Sequence, residues 1–368
     1  MIASPDSAHL RTALALGRQA LGTTWPNPAV GCVIVAADGR VAGRGVTGIG
    51  GRPHAEVQAL TEAGDRAAGG TAYVTLEPCA HDGATPSCAR LLAEAALARV
   101  VVGTHDPDPR TNGAGTAQLA AAGVTVTSGL HEDEAKRLHA GHLRRVASGR
   151  PQVTLKLATS LDGRIATSTG ASQWLTGQLA RRHGHLLRAR HDAILVGAGT
   201  ATRDDPELTC RLPGLGDRSP VRVVVIGAES PLPSGRLLST LGSSPVWLLA
   251  TARRRPDTTE LEAAGAEIID VGADASGRPS LEQALRTLGA RGVTSVLVEG
   301  GQTVATALLR NRLVDTLVWY SADAVVGSDG LAAVGELART ALSETRDFRT
   351  VRARRLGPDH VRFLERAT

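Results

Sequence analysis

An α/β protein of two domains is what the sequence predicts, and three observations carry that prediction. The 368 residues suffice for two domains of ordinary size. Short apolar runs that read as strands alternate with amphipathic helical stretches along most of the chain, the pattern of a mostly parallel sheet covered by helices. Between two such series lies "ASGRPQ" (147–152), where Gly and Pro break a helix before a new strand. The expected domains are 1–148 and 149–368.

The elements follow in order. "AHLRTALALGRQAL" (8–21) is an amphipathic helix, and "AVGCVIVAADGRVAGRGV" (29–46) is a hairpin turning at Asp38-Gly39. A helix over 54–63 precedes the strand "GTAYVTL" (70–76). Ser87 can cap the helix "CARLLAEAALA". "RVVVGT" (99–104) is a buried strand, and a short strand near 123–127 and a helix over 131–147 complete the first half. The second half opens with the strand "VTLKLATSL" (153–161). Strands follow at 192–197, 221–227, 245–251, 266–271 and 294–300, with helices near 177–190, 281–290 and 302–311. The chain ends in a hairpin, 346–355 and 359–365, turning at "GPD".

Composition narrows the function classes. Aromatic residues are 2% against 42% hydrophobic residues in all, so Ala, Val and Leu must fill the cores. Four cysteines are too few for a disulfide framework and suit a reducing compartment. Met1–Ala8 lacks a basic segment followed by an apolar one, and no apolar run approaches a membrane span. A soluble, cytoplasmic chain without a membrane partner is expected. The net charge of +5 is spread over short arginine groups (144–145, 181–182, 253–255, 354–355) with no aromatic platform among them. That favours anionic small molecules over nucleic acid.

The chemistry concentrates in "RPHAEVQALTEAG" (52–64). His54 and Glu56 stand two apart at a helix start, a spacing that does not make helical neighbours but can converge beyond the first turn. "LEPCAHDGATPSC" (76–88) then supplies Cys79 and Cys88. One imidazole and two thiolates suit zinc with its fourth position open, where a water is acidified. Glu56, beside the metal without binding it, can carry that water's proton, the division of labour of zinc deaminases. Cys79 and Cys88 lie farther apart than in the simple P-C-x-x-C form. Cys32 and Cys210 lack such company and read as packing residues.

These motifs resemble the bifunctional riboflavin-biosynthesis deaminase-reductases. "NPAVGCVIV" (27–35), "HAEVQAL" (54–60), "TAYVTLEPCAHDGATPSC" (71–88) and "DPDPRTNGAG" (106–115) are similar to that family's deaminase motifs. "KLATSLDGRIA" (156–166), "SQWLT" (172–176), "GAGTATRDDPELTCR" (197–211), "VLVEGG" (296–301) and "LVDTLVWY" (313–320) are similar to its reductase motifs. The resemblance implies an N-terminal cytidine-deaminase-like α/β/α sandwich and a C-terminal dihydrofolate-reductase-like domain. It implies hydrolytic deamination of a diamino-hydroxy-phosphoribosylamino-pyrimidine, then NADPH-dependent reduction of the ribosyl group to ribityl. One zinc per deaminase domain, NADPH, a phosphorylated pyrimidine substrate and a homo-oligomer, dimer or tetramer, come with it.

Residue by residue, the resemblance makes His54, Cys79 and Cys88 zinc ligands and Glu56 the proton carrier. It places Asn27 and His81 on the pyrimidine. Ser172, Arg188, Leu208, Arg211 and Glu299 match substrate contacts in the reductase. Ala158, Trp174, Thr200 and Asp204 match cofactor contacts. So do Gly301, Gln302, Thr303, Val304, Ala305, Thr306 and Ala307, which follow Glu299. Guanidinium groups suit phosphate, and the glycines of "EGGQTVATALL" let backbone approach a ligand at a helix start. "GAGTAT" (197–202) lacks the last Gly of a dinucleotide fingerprint and argues for no Rossmann domain. Two positions depart from the family: Thr47 stands where a pocket histidine is usual, and "YSADAVVG" (320–327) replaces an Ala-Pro. The competing reading is a purine or nucleoside deaminase fused to a reductase of another substrate. A zinc-stabilised binding module would have no use for Glu56.

Overall fold

The computed structural model describes residues 4–83, 86–253 and 258–367. Ala84 and Thr85 of the cysteine motif, and Arg254 and Arg255 of the arginine run, lie outside the described residues. The chain divides into two compact units, Met1–Arg150 and Pro151–Thr368.

The first unit runs α1 (Pro5–Ala20), β1 (Gly31–Val35), β2 (Val41–Val46), α2 (Ala55–Ala63), β3 (Thr71–Val74), α3 (Cys88–Glu94), β4 (Arg99–Val102), α4 (Ala114–Ala121), β5 (Thr125–Ser128), α5 (Glu132–Leu138) and α6 (Ala140–Ser148). Its sheet has the order β2-β1-β3-β4-β5. The sheet is mixed rather than mostly parallel, and the expected hairpin at Asp38-Gly39 supplies one of its antiparallel pairs. The β1–β2 hairpin and the β1–β3 pair are antiparallel, and only β3–β4 and β4–β5 are parallel. A tight turn at Gly39 (φ 81°) can join only antiparallel neighbours. The helix expected over 131–147 is two, broken at His139. That residue is buried, and its Nε2 meets the Thr75 hydroxyl at 3.0 Å.

Small residues set how closely α2 approaches the sheet. A Cβ on Gly45 would fall 1.9 Å from the Ala55 carbonyl oxygen, and one on Gly43 2.1 Å from that of Ala59. Glycines in β2 therefore let the Ala55–Ala59–Ala63 face of α2 lie directly on the strands. The core around it is Ala, Val and Leu with Cys32 and Ile34, as the shortage of aromatics requires. This contact fixes where α2 begins, and with it His54.

The second unit runs β6 (Gln152–Thr159), β7 (Arg164–Ala166), α7 (Gln178–Arg188), β8 (Ala193–Gly197), α8 (Ala198–Asp204), β9 (Val221–Ile226), α9 (Arg236–Ser239), β10 (Val246–Ala250), α10 (Thr259–Ala263), β11 (Glu267–Asp270), α11 (Leu281–Ala290), β12 (Ser295–Val298), α12 (Gln302–Arg310), β13 (Thr316–Ser321), β14 (Leu331–Ala332), β15 (Phe348–Leu356) and β16 (Asp359–Arg366). The main sheet has the order β11-β10-β9-β8-β12-β6-β13-β16-β15. It is parallel from β11 to β13 and antiparallel where the terminal hairpin joins. Among the described residues no helix is long and apolar enough to cross a membrane.

Candidate functional site

His54 is the N-cap of α2, with extended backbone (φ −67°, ψ 155°), so its ring projects off the helix end while Glu56 sits in the first turn. Cys88 opens α3, capped by Ser87, whose hydroxyl accepts from the Arg90 N–H. Cys79 lies in the loop between β3 and α3. The Cys88 N–H donates to its sulfur at 3.3 Å and the Ala89 N–H to its carbonyl at 3.2 Å. Asp82 ties the loop down, accepting from the Ser87 N–H at 2.8 Å and the Arg90 guanidinium at 3.2 Å.

The three side chains converge, with ligand atoms all within 4.8 Å of one another. His54 Nδ1 lies 3.3 Å from Cys88 Sγ and 3.8 Å from Cys79 Sγ. A tetrahedral zinc shell, with bonds of about 2.3 Å to sulfur and 2.0–2.1 Å to nitrogen, sets neighbouring donors roughly 3.5–3.8 Å apart, so the set fits that ion. The two thiols are pushed in opposite directions. Hydrogen bonding from Cys88 draws Cys79 down to about 4, and Cys88 is pushed up in return. Glu56 is 4% exposed, and burial pushes its carboxyl up to about 7. A carboxylate poised near neutrality in a pocket is suited to taking and returning a proton.

The pocket over this cluster holds about 440 Å³ and is lined by His54, Glu56 and Cys79 and by both predicted pyrimidine contacts, Asn27 and His81. Asn27 is anchored by donating to the Gly51 carbonyl at 3.0 Å. His81 Nδ1 is buried with no hydrogen-bond partner among the described residues. Thr47 also lines the wall, its hydroxyl accepting from the Val30 N–H at 2.9 Å. Further residues join the wall, one of them from the motif 106–115. Asp106 and His142 line the same pocket and meet at 2.9 Å, and nothing in their spacing announces it.

The second unit has a pocket of about 630 Å³, at the C-terminal ends of β6, β8 and β12, where open α/β sheets bind ligands. It gathers Ala158, Ser172, Trp174, Arg188, Thr200, Asp204, Leu208, Arg211 and Glu299, with Gly301, Gln302, Thr303 and Val304 from the turn into α12. Ala305, Thr306 and Ala307 are not part of its lining. Successive helical residues turn away, and Ala305 is fully buried. Thr306 donates to the Gln302 carbonyl and accepts from the Gly335 N–H. Trp174 is 66% exposed at the pocket, with the Arg181 guanidinium 4.7 Å over its ring. A packed core aromatic it is not.

Two arginines stand differently from one another. Arg188 closes its fork on Glu299, at 2.8 and 2.9 Å, and donates to the Thr209 carbonyl at 3.0 Å. Its geometry serves a carboxylate of the chain. Arg211 is half exposed and pairs with Glu207 at 3.3 Å. Burial would raise the Glu299 carboxyl, but Arg188 and Lys156, whose Nζ lies 3.8 Å away, outweigh it and hold the group at about 2. Lys156 opens the motif 156–166, but the motif alone gives it no role; its place beside Glu299 does.

Comparison with known proteins agrees unit by unit. The family described as "Cytidine and deoxycytidylate deaminase zinc-binding region" matches residues 3–104, and the "RibD C-terminal domain" matches 151–361. Riboflavin biosynthesis protein RibD of Escherichia coli K12 is 40% identical, covering 96% of this chain and 97% of its own. The structure of Acinetobacter baumannii RibD is similar with a TM-score of 0.88 at 34% identity, covering 99% of each chain. A Thermotoga maritima structure titled as a diaminohydroxyphosphoribosylaminopyrimidine deaminase and 5-amino-6-(5-phosphoribosylamino)uracil reductase has a TM-score of 0.84 at 32% identity, again over 99% of each chain.

Proposed function

The chain belongs to the RibD family of riboflavin-biosynthesis deaminase-reductases, and from that premise we propose how its two pockets divide the work. The first takes 2,5-diamino-6-(5-phosphoribosylamino)pyrimidin-4-one. His54, Cys79 and Cys88 hold one zinc ion, which when bound supplies an acidified water in its open position. Asn27 and His81 orient the ring. Glu56 would carry both protons of that water, one to the ring nitrogen and one to the amino group, so that ammonia leaves as the ring carbon gains the water's oxygen. The observation that carries this is the convergence of three ligand atoms beside a carboxyl that burial holds near neutrality.

The second pocket takes the deaminated ribotide with NADPH, which supplies the hydride. The ring-opened sugar presents an imine carbon, and the protein aligns it with the nicotinamide and excludes water. Ala158, Trp174, Thr200, Asp204 and the turn beginning at Gly301 face the cofactor. Ser172, Leu208, Arg211 and Glu299 face the substrate, with Arg188 acting through Glu299. Arg211 holds the substrate phosphate. The protein works in the cytoplasm as a homo-oligomer, and the exposed edge strand β15 offers unpaired backbone for assembly.

The test combines purified protein, the diamino-pyrimidine ribotide and NADPH, with ammonia and nicotinamide absorbance followed together. Ammonia release followed by equimolar NADPH oxidation is expected. Ammonia from guanine or cytidine with no NADPH use would overturn the reading.

A further inference from the structure

Six basic side chains line the larger pocket: Lys156, Arg181, Arg188, Arg203, Arg211 and Arg236. Five of them have partners inside the protein. Lys156 and Arg188 face Glu299, Arg211 faces Glu207, and Arg236 lies 4.0 Å from Asp205. Arg181 donates to the Thr176 carbonyl at 2.7 Å. Arg203 alone makes no hydrogen bond or ion pair among the described residues; its charge acts only at longer range on the neighbouring Asp204 carboxyl, and it is exposed at the pocket it lines. A guanidinium left to water in a cavity that must accept phosphorylated ligands is an anion receptor by its chemistry.

Its place in the fold says which anion. Arg203 lies in α8, one turn beyond Thr200 and beside Asp204. Thr200 abuts the turn into α12, where a Cβ on Gly301 would come within 3.0 Å of its hydroxyl oxygen. The Gly197 N–H, just before α8, reaches the Gly300 carbonyl. The two βα turns thus touch, and Arg203 belongs to the wall they share. Arg211 belongs to a different wall, where its N–H meets His185 Nδ1 on α7 and the neighbouring Thr209 carbonyl takes Arg188.

We infer that Arg203 is a further cofactor-binding residue, closing on a phosphate of the dinucleotide while Arg211 takes that of the ribotide. This rests on the reading that the pocket binds NADPH. The source of the phosphate is either the 2′-phosphate, which would make Arg203 a determinant of NADPH over NADH, or the pyrophosphate common to both.

The test is Arg203→Ala, with Arg203→Lys beside it, read by fluorescence titration of NADPH and NADH and by steady-state KM values. Loss of one hydrogen bond to a charged group predicts about 10- to 150-fold weaker NADPH binding. Partial recovery in the lysine variant is expected. If NADH binding is unchanged, the contact is the 2′-phosphate; if both weaken alike, it is the pyrophosphate. Unaltered NADPH affinity, or a raised KM for the ribotide alone, overturns the inference. Failure of the unsubstituted protein to bind NADPH would instead overturn the reading beneath it.

Discussion

The two pockets solve opposite problems. The first concentrates its chemistry in four side chains, His54, Glu56, Cys79 and Cys88, with one thiol drawn down, the other pushed up and a carboxyl held near neutrality. The second is larger, and its innermost charges are already compensated, Glu299 by Arg188 and Lys156. A site that must activate water keeps reactive groups under electrostatic tension. A site that only aligns two ligands needs fixed, satisfied walls and charge where the ligands carry charge. Single substitutions should therefore abolish chemistry in the first pocket and grade binding or stability in the second.

The largest effects should fall on the metal cluster. Glu56→Gln keeps shape but removes the proton carrier, so deamination should fall about 100- to 10,000-fold with zinc content unchanged. NADPH consumption from the deaminated intermediate should persist, and near-normal ammonia release would break the contrast. Cys88→Ser should lose zinc by elemental analysis, because a serine hydroxyl lacks the thiolate's charge.

Next comes the Glu299–Arg188 pair. Glu299→Gln strands a buried guanidinium and should destabilise the second unit by about 3–5 kcal/mol, measurable as a lowered urea midpoint. The pH dependence follows from the carboxyl held at about 2 against an ordinary 4.5. An acid group with a lowered folded pKa contributes stability that is complete above the ordinary value and lost as pH falls toward the folded one. The unsubstituted protein should lose this component between about pH 4.5 and 2, and the glutamine variant should lack it. A parallel pH profile in both proteins would show that the pair carries no stability.

Arg211→Ala should lower kcat/KM for the phosphorylated ribotide about 10- to 150-fold. The lower end is favoured, because the side chain gives up its half-exposed pair with Glu207 to bind phosphate. The dephosphorylated analogue should hardly change. Equal losses on both would move the phosphate site elsewhere. The smallest effect is expected at Thr47, whose hydroxyl is occupied by the Val30 N–H. Thr47→His should lower KM for deamination by about two- to tenfold, the worth of one neutral hydrogen bond, with kcat unchanged. A raised KM would mean that the ring does not fit beside Val30.

What the sequence by itself determined is the chemistry that lives in short motifs and the period of the elements. H-A-E at a helix start and the paired cysteines were legible because metal ligation demands particular side chains near particular element ends. The longer strands and helices of the second unit were legible from apolar runs with Gly and Pro between them, whereas β13 and the short β7, β14, α8, α9 and α10 were not, because a few residues carry too little period. The family's substrate and cofactor positions came from resemblance, and no periodicity would have supplied them. Tertiary structure decided the rest. It set β3 antiparallel to β1, since that direction depends on which edges pair. It broke the helix at buried His139, turned Ala305, Thr306 and Ala307 out of the pocket lining, and brought Asp106 to His142. It also sorted the arginines. Arg222, in the apolar run "VRVVVIG", is fully buried, with its guanidinium donating to the carbonyls of Glu207, Leu237, Thr240 and Ser244. Arg188 went to Glu299, and Arg203 was left facing the cavity. A guanidinium has the same charge and shape wherever it stands in a sequence. Only the acceptors that folding places within about 3 Å decide whether it braces the protein or waits for a ligand.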